Sequence, residues 1–373
     1  MTTTAPRAPV LAAQSAGPGL DDVIAAETRL SHVDGQAGQL VIAGYPLSAI
    51  ADWRFEDVLA LLWTDFLAEP MTAGDIGEAL GRARVTAFEL LEPMLPLLRD
   101  LTSVEALRLL LSSLPDQART PHCILAAAAV PVFSAGIIRQ SQGLACVPPD
   151  PQRGQAEDFL YMLRNEMPTR DKVRALDTYL VTVSDHGLNA STFTARVIAS
   201  TKAGLLSSVV GALCALKGPL HGGAPGPVLD MLDAIGTADR IDGWLQDCLA
   251  RGERLMGFGH RIYRVRDPRA DVLKAALAGL QDGSGRIAFA GQVEQAALAL
   301  LKEKKPLRPL QTNVEFYTAL VLEAVGFPRE SFTNVFAAGR MAGWTAHVLE
   351  QEQTGRLIRP QSRYVGPMPD HSR

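Results

Sequence analysis

Three histidines, each next to glycine in the chain, are the side chains of this sequence best suited to acid–base chemistry. They are His186, His221 and His260, and a carboxylate, Glu315, follows them. Glycine lets backbone and ligand approach closely, so it often accompanies a histidine that must meet a substrate. A neutral imidazole can donate to a carbonyl or enolate oxygen while a carboxylate removes a proton from carbon. The pattern predicts an acid–base site built from several loops.

Arginines crowd the stretch of chain around His260. They are Arg251, Arg254, Arg261, Arg264, Arg266 and Arg269. They indicate an anionic substrate, because guanidinium groups bind carboxylates and phosphates through paired hydrogen bonds. A solvated basic face and a nucleic-acid patch are the other interpretations of these arginines. Both are disfavoured because we expect Asp267-Pro268 to stop any regular helix just before Arg269. The site is predicted to take a small polycarboxylate and a second ligand that carries phosphate.

Local signatures of a metal site or of a serine nucleophile are missing from the sequence. The three histidines are far apart, and neither HxxxH nor HExxH occurs. The GxSxG motif of a nucleophile elbow is also missing. The four cysteines are widely spaced, as is typical of reduced thiols in a cytoplasmic protein. We therefore expect no metal site and chemistry by general acids and bases.

The composition predicts a helical globular protein. Of its 373 residues 47% are hydrophobic and only 6% aromatic, and abundant alanine and leucine favour packed helices over sheets. The net charge of −4 gives no indication of a nucleic-acid partner or an anionic membrane. The most apolar stretch, residues 123–138, is shorter than the roughly 20 residues of a membrane span. We expect it to form a buried helix or helix pair.

Helical periodicity covers most of the chain beyond its N-terminal segment. Thr102 and Glu105 form a predicted capping box, and residues 331–353 form a predicted long helix. Residues 40–42 lie between glycine-containing turns and are predicted to form a short strand. Glycine and proline dominate residues 217–227, which marks a hinge or domain boundary.

Several longer motifs, taken together, resemble the citrate synthase family. In family order they are GLDDVIA (19–25), DHGLNASTFTAR (185–196), GPLHGGA (218–224), GFGHRIYR (257–264), DPR (267–269), NVEFY (313–317), GRMAGW (339–344), RP (359–360) and YVGP (364–367). The resemblance covers residues 19–367, and the compact length is similar to that of the dimeric bacterial type.

The resemblance implies an all-α fold in which a large and a small helical domain enclose the active site in a cleft. Residues 19–222 and 327–373 would form the large domain and residues 223–326 the small one. Residues 1–18, rich in Thr, Ala and Pro, are expected to form a disordered tail. The implied activity is condensation of acetyl-CoA with oxaloacetate, then hydrolysis of citryl-CoA, in a cytoplasmic homodimer. No cofactor is expected, since acetyl-CoA is a substrate.

The resemblance also implies a role for each site residue. His221 would hydrogen-bond the thioester carbonyl and stabilise the enolate, Glu315 would remove the methyl proton, and His260 would protonate the oxaloacetate carbonyl. The residues that would hold oxaloacetate are His186, Arg269 and Arg340, together with Arg359 of the partner subunit. The residues that would bind CoA are Arg264, Leu255, Met256, Gly257, Phe258 and Gly259.

One residue departs from the family pattern, because most members have aspartate where this chain has Glu315. The carboxylate is retained on a side chain one methylene longer, which keeps the reaction class and leaves the rate and the acyl preference open. The alternatives are 2-methylcitrate synthase, which uses propionyl-CoA, and a non-catalytic relative that binds CoA or carboxylates. A basic nucleic-acid binder using residues 251–269 would show strongly salt-dependent binding.

Overall fold

The computed structural model describes residues 20, 23–221, 225–260, 262–280, 285–304, 306 and 310–369. Within these residues the chain is built of helices apart from one small sheet, so the predicted all-α fold class is confirmed. The predicted tail, residues 1–18, lies outside the described residues.

The small sheet lies near the start of the described chain and is antiparallel throughout. Its strands are β1 (Ser31–Asp34), β2 (Gln39–Ile42) and β3 (Tyr45–Pro46). The strand predicted at residues 40–42 is confirmed as part of β2. In the turn between β1 and β2, Asp34 Oδ1 accepts the backbone N–H groups of Gln36 and Ala37 at 2.9 and 2.8 Å. Gly38 completes the turn with a φ of 66°, which favours glycine.

The helices follow the sheet along the chain. Those before the predicted hinge are α1 (Leu47–Ile50), α2 (Phe55–Trp63), α3 (Ala73–Leu91), α4 (Ser103–Ser112), α5 (His122–Ser141), α6 (Gln155–Arg164), α7 (Arg170–Val183), α8 (Ala190–Ala199) and α9 (Leu205–Leu216). Those after it are α10 (Pro225–Ile235), α11 (Ile241–Ala250), α12 (Pro268–Leu277), α13 (Arg286–Lys304), α14 (Val314–Val325) and α15 (Phe332–Thr354). The capping box predicted at Thr102 and Glu105 is confirmed at the start of α4.

Helix α5 lies at the centre of the core, with α3, α4, α6, α9 and α15 packed against it. The stretch predicted as a buried helix or a helix pair is a single helix that passes through Pro131 without a break. By length and composition α5 could cross a membrane, but 94% of its apolar window is buried inside the protein. Packing within the fold therefore accounts for its apolar sequence.

Helix α15 packs closely on α7 and on the residues that follow α7. A Cβ atom at Gly339 would lie 2.5 Å from Val183 Cγ2, and one at Gly343 would lie 2.5 Å from the carbonyl oxygen of Ser184. Only glycine permits this approach, because any other residue would force the helices apart. The close packing brings Arg340, which lies between the two glycines, against the loop that carries His186.

The prediction for Asp267-Pro268 was wrong, because the pair begins a helix instead of stopping one. Asp267 is the N-cap of α12, and its Oδ1 accepts the backbone N–H of Arg269 at 3.1 Å. Pro268 occupies the first turn, where its missing N–H costs nothing. Arg269 is thereby fixed at the start of α12, which packs on α14 and α7.

The predicted hinge, residues 217–227, lies partly outside the described residues, which omit 222–224. On its two sides α9 ends at Leu216 and α10 begins at Pro225. The division into a large and a small domain stays a prediction.

Candidate active site

His186 and His260 lie side by side, and Tyr263 bridges them. The ring centroids of the two histidines are 5.8 Å apart. The Tyr263 hydroxyl lies 3.1 Å from His186 Nε2, and the Tyr263 ring centroid lies 4.8 Å from that of His260. Burial lowers the pKa of His186 well below its usual value, and the charges of Arg269 and Arg340 lower it further, so His186 is held neutral. The hydroxyl of Tyr263 thus forms a hydrogen bond with His186 while its ring packs on His260.

His260 is held through its Nδ1, which accepts the backbone N–H groups of Ile262 and Tyr263 at 3.0 and 3.1 Å. A neutral ring in this tautomer carries its proton on Nε2. Arg269 Nη2 lies 3.2 Å from that Nε2, so two N–H donors point into the same space. A carbonyl or carboxylate oxygen placed there would accept from both donors.

His221 is positioned by the start of α8. Its Nε2 lies 2.8 Å from Ser191 Oγ and accepts the backbone N–H of Ser191 at 3.3 Å. Ser191 Oγ in turn accepts the indole N–H of Trp344 at 3.1 Å, and Asn189 caps the helix. Because Nε2 accepts, a neutral His221 carries its proton on Nδ1, from which it can donate to a substrate oxygen.

Arg340 is a buried arginine with unmatched donors. Its side chain is 2% exposed, yet Nε and Nη1 have no hydrogen-bond partner among the described residues. Burial lowers the pKa of Arg340 to about 10, with the carboxylate of Asp185 opposing. Its positive charge acts on both His186 and His221, so it lies near both rings. A buried charge without a partner is costly, so this position is suited to an anionic ligand.

Asp267 joins the candidate base to an arginine of the site. Its carboxylate accepts Nε and Nη2 of Arg269 at 3.0 and 2.9 Å, and the backbone N–H of Val314 at 3.1 Å. Val314 begins α14, where the side chain of Asn313 caps the helix and accepts the N–H of Glu315 at 3.0 Å. One carboxylate thus fixes the first turns of α12 and α14, and with them the relative positions of Arg269 and Glu315.

Burial sets the protonation of the candidate acids and bases. It lowers the pKa of His221 to about 4, with help from Arg340, and the pKa of His260 to about 4, with help from Arg269. Both histidines are therefore neutral at pH 7. Burial raises the pKa of Glu315 to about 7, against the attraction of Arg269. A carboxyl group with a pKa near neutrality is suited to proton abstraction.

The predicted CoA-binding loop, residues 255–259, pairs with residues 311–313. The backbone N–H of Asn313 donates to the Gly257 carbonyl at 2.9 Å. Gly257 has a φ of 84°, and a Cβ atom there would lie 2.8 Å from Phe316 Cβ. Close packing against Phe316 within the protein therefore requires glycine at position 257. The pairing also ties the loop to the start of α14, which carries Glu315.

Two of the predicted binding arginines are exposed. Arg264 follows the His260 loop, and its backbone N–H donates to the Gly35 carbonyl at 2.8 Å. Arg359 lies in the segment after α15, and within the described part of the chain it forms no ion pair. A single chain thus brings His186, His260 and Arg269 together, while Arg359 remains at the surface.

Sequence reasoning missed Tyr263, Asp267 and Ser191, which hold the site in place. Asp267 could have been found, since an aspartate directly before a proline is a signature of a helix start. Ser191 lies close behind the helix cap at Asn189 but contacts a histidine distant in the chain. Tyr263 likewise meets His186 only in the folded molecule. Neither of these two has a local signal.

Comparisons with known proteins agree over nearly the whole chain. A family model described as citrate synthase, C-terminal domain, matches residues 19–361. The chain is 37% identical over 368 residues to the citrate synthase of Haloferax volcanii, covering 93% of this chain and 95% of that protein. It is 33% identical over 360 residues to a 2-methylcitrate synthase of Mycobacterium tuberculosis, covering 93% of this chain and 90% of that protein.

Solved structures give the same result. The citrate synthase of Thermotoga maritima superposes with a TM-score of 0.82 at 35% identity, covering 94% of this chain and 96% of that one. The citrate synthase of Thermoplasma acidophilum, in a ternary complex with carboxymethyl coenzyme A and oxaloacetate, superposes with a TM-score of 0.83 at 26% identity, with the same coverage. The chain belongs to the citrate synthase family and is an enzyme that transfers an acyl group.

Proposed function

We propose that this protein condenses acetyl-CoA with oxaloacetate and hydrolyses the resulting citryl-CoA to citrate and CoA. The observation that carries the proposal is the buried Arg340 with unmatched donors, beside the converging donors of His260 and Arg269. A dicarboxylate with a central carbonyl would satisfy all three. The relative from Thermoplasma acidophilum, solved with a CoA analogue and oxaloacetate, supports this choice of ligands.

The proposed roles are those that the family resemblance implies, and the tautomers of the two neutral histidines support them. His221 donates from Nδ1 to the thioester carbonyl, while Glu315 takes a proton from the acetyl methyl group. The methyl carbon then bonds to the carbonyl carbon of oxaloacetate, whose oxygen receives the Nε2 proton of His260. A carboxylate alone ionises a thioester methyl poorly, and one enolate-stabilising donor is typically worth ~3–4 kcal/mol.

The test is the rate of free CoA release with oxaloacetate and acetyl-CoA. We expect turnover in the wild type and a loss of ~100-fold or more in kcat for His221→Ala and for His260→Ala, with the fold retained. Arg82→Ala, which removes an exposed side chain on α3, is the control and should keep near-normal turnover. Near-normal turnover in either active-site variant would refute these roles.

A second candidate activity is 2-methylcitrate synthesis from propionyl-CoA. It is favoured by the 33% identical relative of that name. The ratio of kcat/KM for acetyl-CoA and propionyl-CoA, measured at saturating oxaloacetate, decides between the two. A ratio above one supports citrate synthesis, and a ratio below one supports 2-methylcitrate synthesis.

We also propose that the enzyme works as a cytoplasmic homodimer and needs no metal or other cofactor. The exposed Arg359, which follows α15 without an ion pair in the described chain, supports a role in the site of the partner subunit.

We propose that the large and small domains meet at the cleft, with residues 217–227 as the hinge. Closure over oxaloacetate would then create the binding site for the CoA thioester.

A further inference from the structure

The turn between β1 and β2 packs directly on the loop that follows His260. The backbone N–H of Arg264 donates to the Gly35 carbonyl at 2.8 Å. Gly35 also lies so close to Ile262 that a Cβ atom added at Gly35 would collide with the Ile262 carbonyl. The turn therefore fits against this loop with no room for one additional methyl group.

The other end of the same hairpin is tied to the loop that carries His186. Ser31 Oγ donates to Asp185 Oδ2 at 2.5 Å and accepts the backbone N–H of Gly187 at 2.9 Å. Asp185 and Gly187 flank His186 in the chain. On its far side Asp185 Oδ2 lies 3.1 Å from His347 Nε2 of α15, so this anchor is itself fixed to the core.

Tyr263 is the residue through which the two loops meet. Its backbone N–H donates to His260 Nδ1 at 3.1 Å, and its hydroxyl lies 3.1 Å from His186 Nε2. Its neighbours on both sides in the chain contact Gly35. The hairpin therefore packs on both sides of Tyr263, the residue that contacts both histidines.

We propose that the hairpin of β1 and β2 is a positioning element of the reaction, with Gly35 and Ser31 as its positioning residues. It holds the loops of His186 and His260 at one spacing and acts on the substrate only through them. The inference rests on the proposed function, which assigns oxaloacetate to these histidines. A misplacement of about 1 Å between reacting groups can cost ~100-fold in rate, so a firm anchor has a direct kinetic effect.

The first experiment is the Gly35→Ala variant. The backbone of Gly35 lies outside the left-handed region, so alanine is conformationally allowed and acts only through its collision with the loop. We expect a folded protein whose kcat/KM for oxaloacetate falls ~10- to 100-fold. Gln36→Ala is the matched control, because Gln36 is exposed in the same turn, and its kcat/KM should stay within about twofold of wild type.

A double-mutant cycle with Tyr263→Phe distinguishes positioning from a general loss of structure. The phenylalanine keeps the ring but removes the hydroxyl that forms a hydrogen bond with His186 Nε2. If the hairpin acts through Tyr263, the double variant loses much less kcat/KM than the product of the two single losses. Losses that multiply independently overturn the inference, as does a Gly35→Ala variant with wild-type kcat/KM.

The Ser31 anchor gives an independent test that holds even where Gly35→Ala fails to fold. Ser31→Ala removes both hydrogen bonds to the His186 loop and should raise KM for oxaloacetate, while Ser31→Thr retains the hydroxyl and should restore it. Wild-type kinetics in Ser31→Ala overturn the inference. A wild-type protein that releases no CoA from either thioester refutes the proposed function instead, so the two failures are distinguishable.

Discussion

The side chain at position 315 determines how far a carboxylate reaches from the start of α14. Most family members are expected to have aspartate here, and this chain has a glutamate. Its backbone is fixed, since Asp267 binds the N–H of Val314 and Asn313 caps Glu315. The additional methylene therefore has to be accommodated by the surrounding loops or by the position of the substrate.

Glu315→Gln should nearly abolish exchange of the acetyl methyl protons, because the amide keeps the shape but cannot accept the proton. Glu315→Asp should also lose activity, by about 100-fold, because the loop is fitted to the longer side chain. Proton exchange and turnover are measured together in both variants. Substantial turnover in Glu315→Gln would mean that another group is the base. Full activity in Glu315→Asp would contradict only the claim that the loop is fitted to the longer side chain.

The raised pKa of Glu315 predicts two opposite effects of pH. Burial raises that pKa to about 7, so kcat/KM should rise with pH as the carboxyl loses its proton. Stability should move the other way, because the folded state holds the proton more tightly than the unfolded chain. The free energy of unfolding therefore falls as pH increases from 4.5, the pKa of this carboxyl group in the unfolded chain, through about 7, its pKa in the folded protein. Glu315→Gln should reduce this slope in denaturant titrations, and an unchanged slope would contradict the assignment.

At the scale of elements, local signals in the sequence predicted most of the helices and the strand in β2. Thr102 and Glu105 formed the expected capping box because both partners lie within one turn. Asp267-Pro268 was misinterpreted because proline both ends and begins helices, although the aspartate directly before it is a local signal of a helix start. The contact between Tyr263 and His186 depends on tertiary packing, so no periodicity or spacing could have indicated it.

The predicted CoA-binding loop, residues 255–259, offers a test of how tightly it is joined to α14. Gly257→Ala places a Cβ atom against Phe316 in a left-handed conformation, and we expect a loss of about 3 kcal/mol in unfolding free energy. The matched control is Gly243→Ala in α11, which has no atom within 4 Å of the added methyl and should stabilise by up to about 1 kcal/mol. Urea denaturation measures both. If the Gly257→Ala and Gly243→Ala variants had equal free energies of unfolding, the loop of residues 255–259 would have moved to accept the added methyl group without cost.

For the whole molecule, the proposed homodimer assigns Arg359 to the site of the partner subunit. Arg359→Ala and His221→Ala would each be inactive alone, yet mixed subunits should regain activity, because one site of each heterodimer would then be intact. Turnover is measured after subunit exchange, with exchange confirmed by differently tagged chains. No recovery would contradict the role of Arg359 across the interface.

The unmatched charge of Arg340, beside that of Arg269, has a thermodynamic consequence for the first binding event. Arg340 holds the site positive, and Arg269, although paired with Asp267, counteracts the rise in the pKa of Glu315. A bound dianion neutralises this field, so the pKa of Glu315 rises further and the protein takes up a fraction of a proton near pH 7. The heat of oxaloacetate binding should then depend on the ionisation enthalpy of the buffer, and Glu315→Gln should remove that dependence.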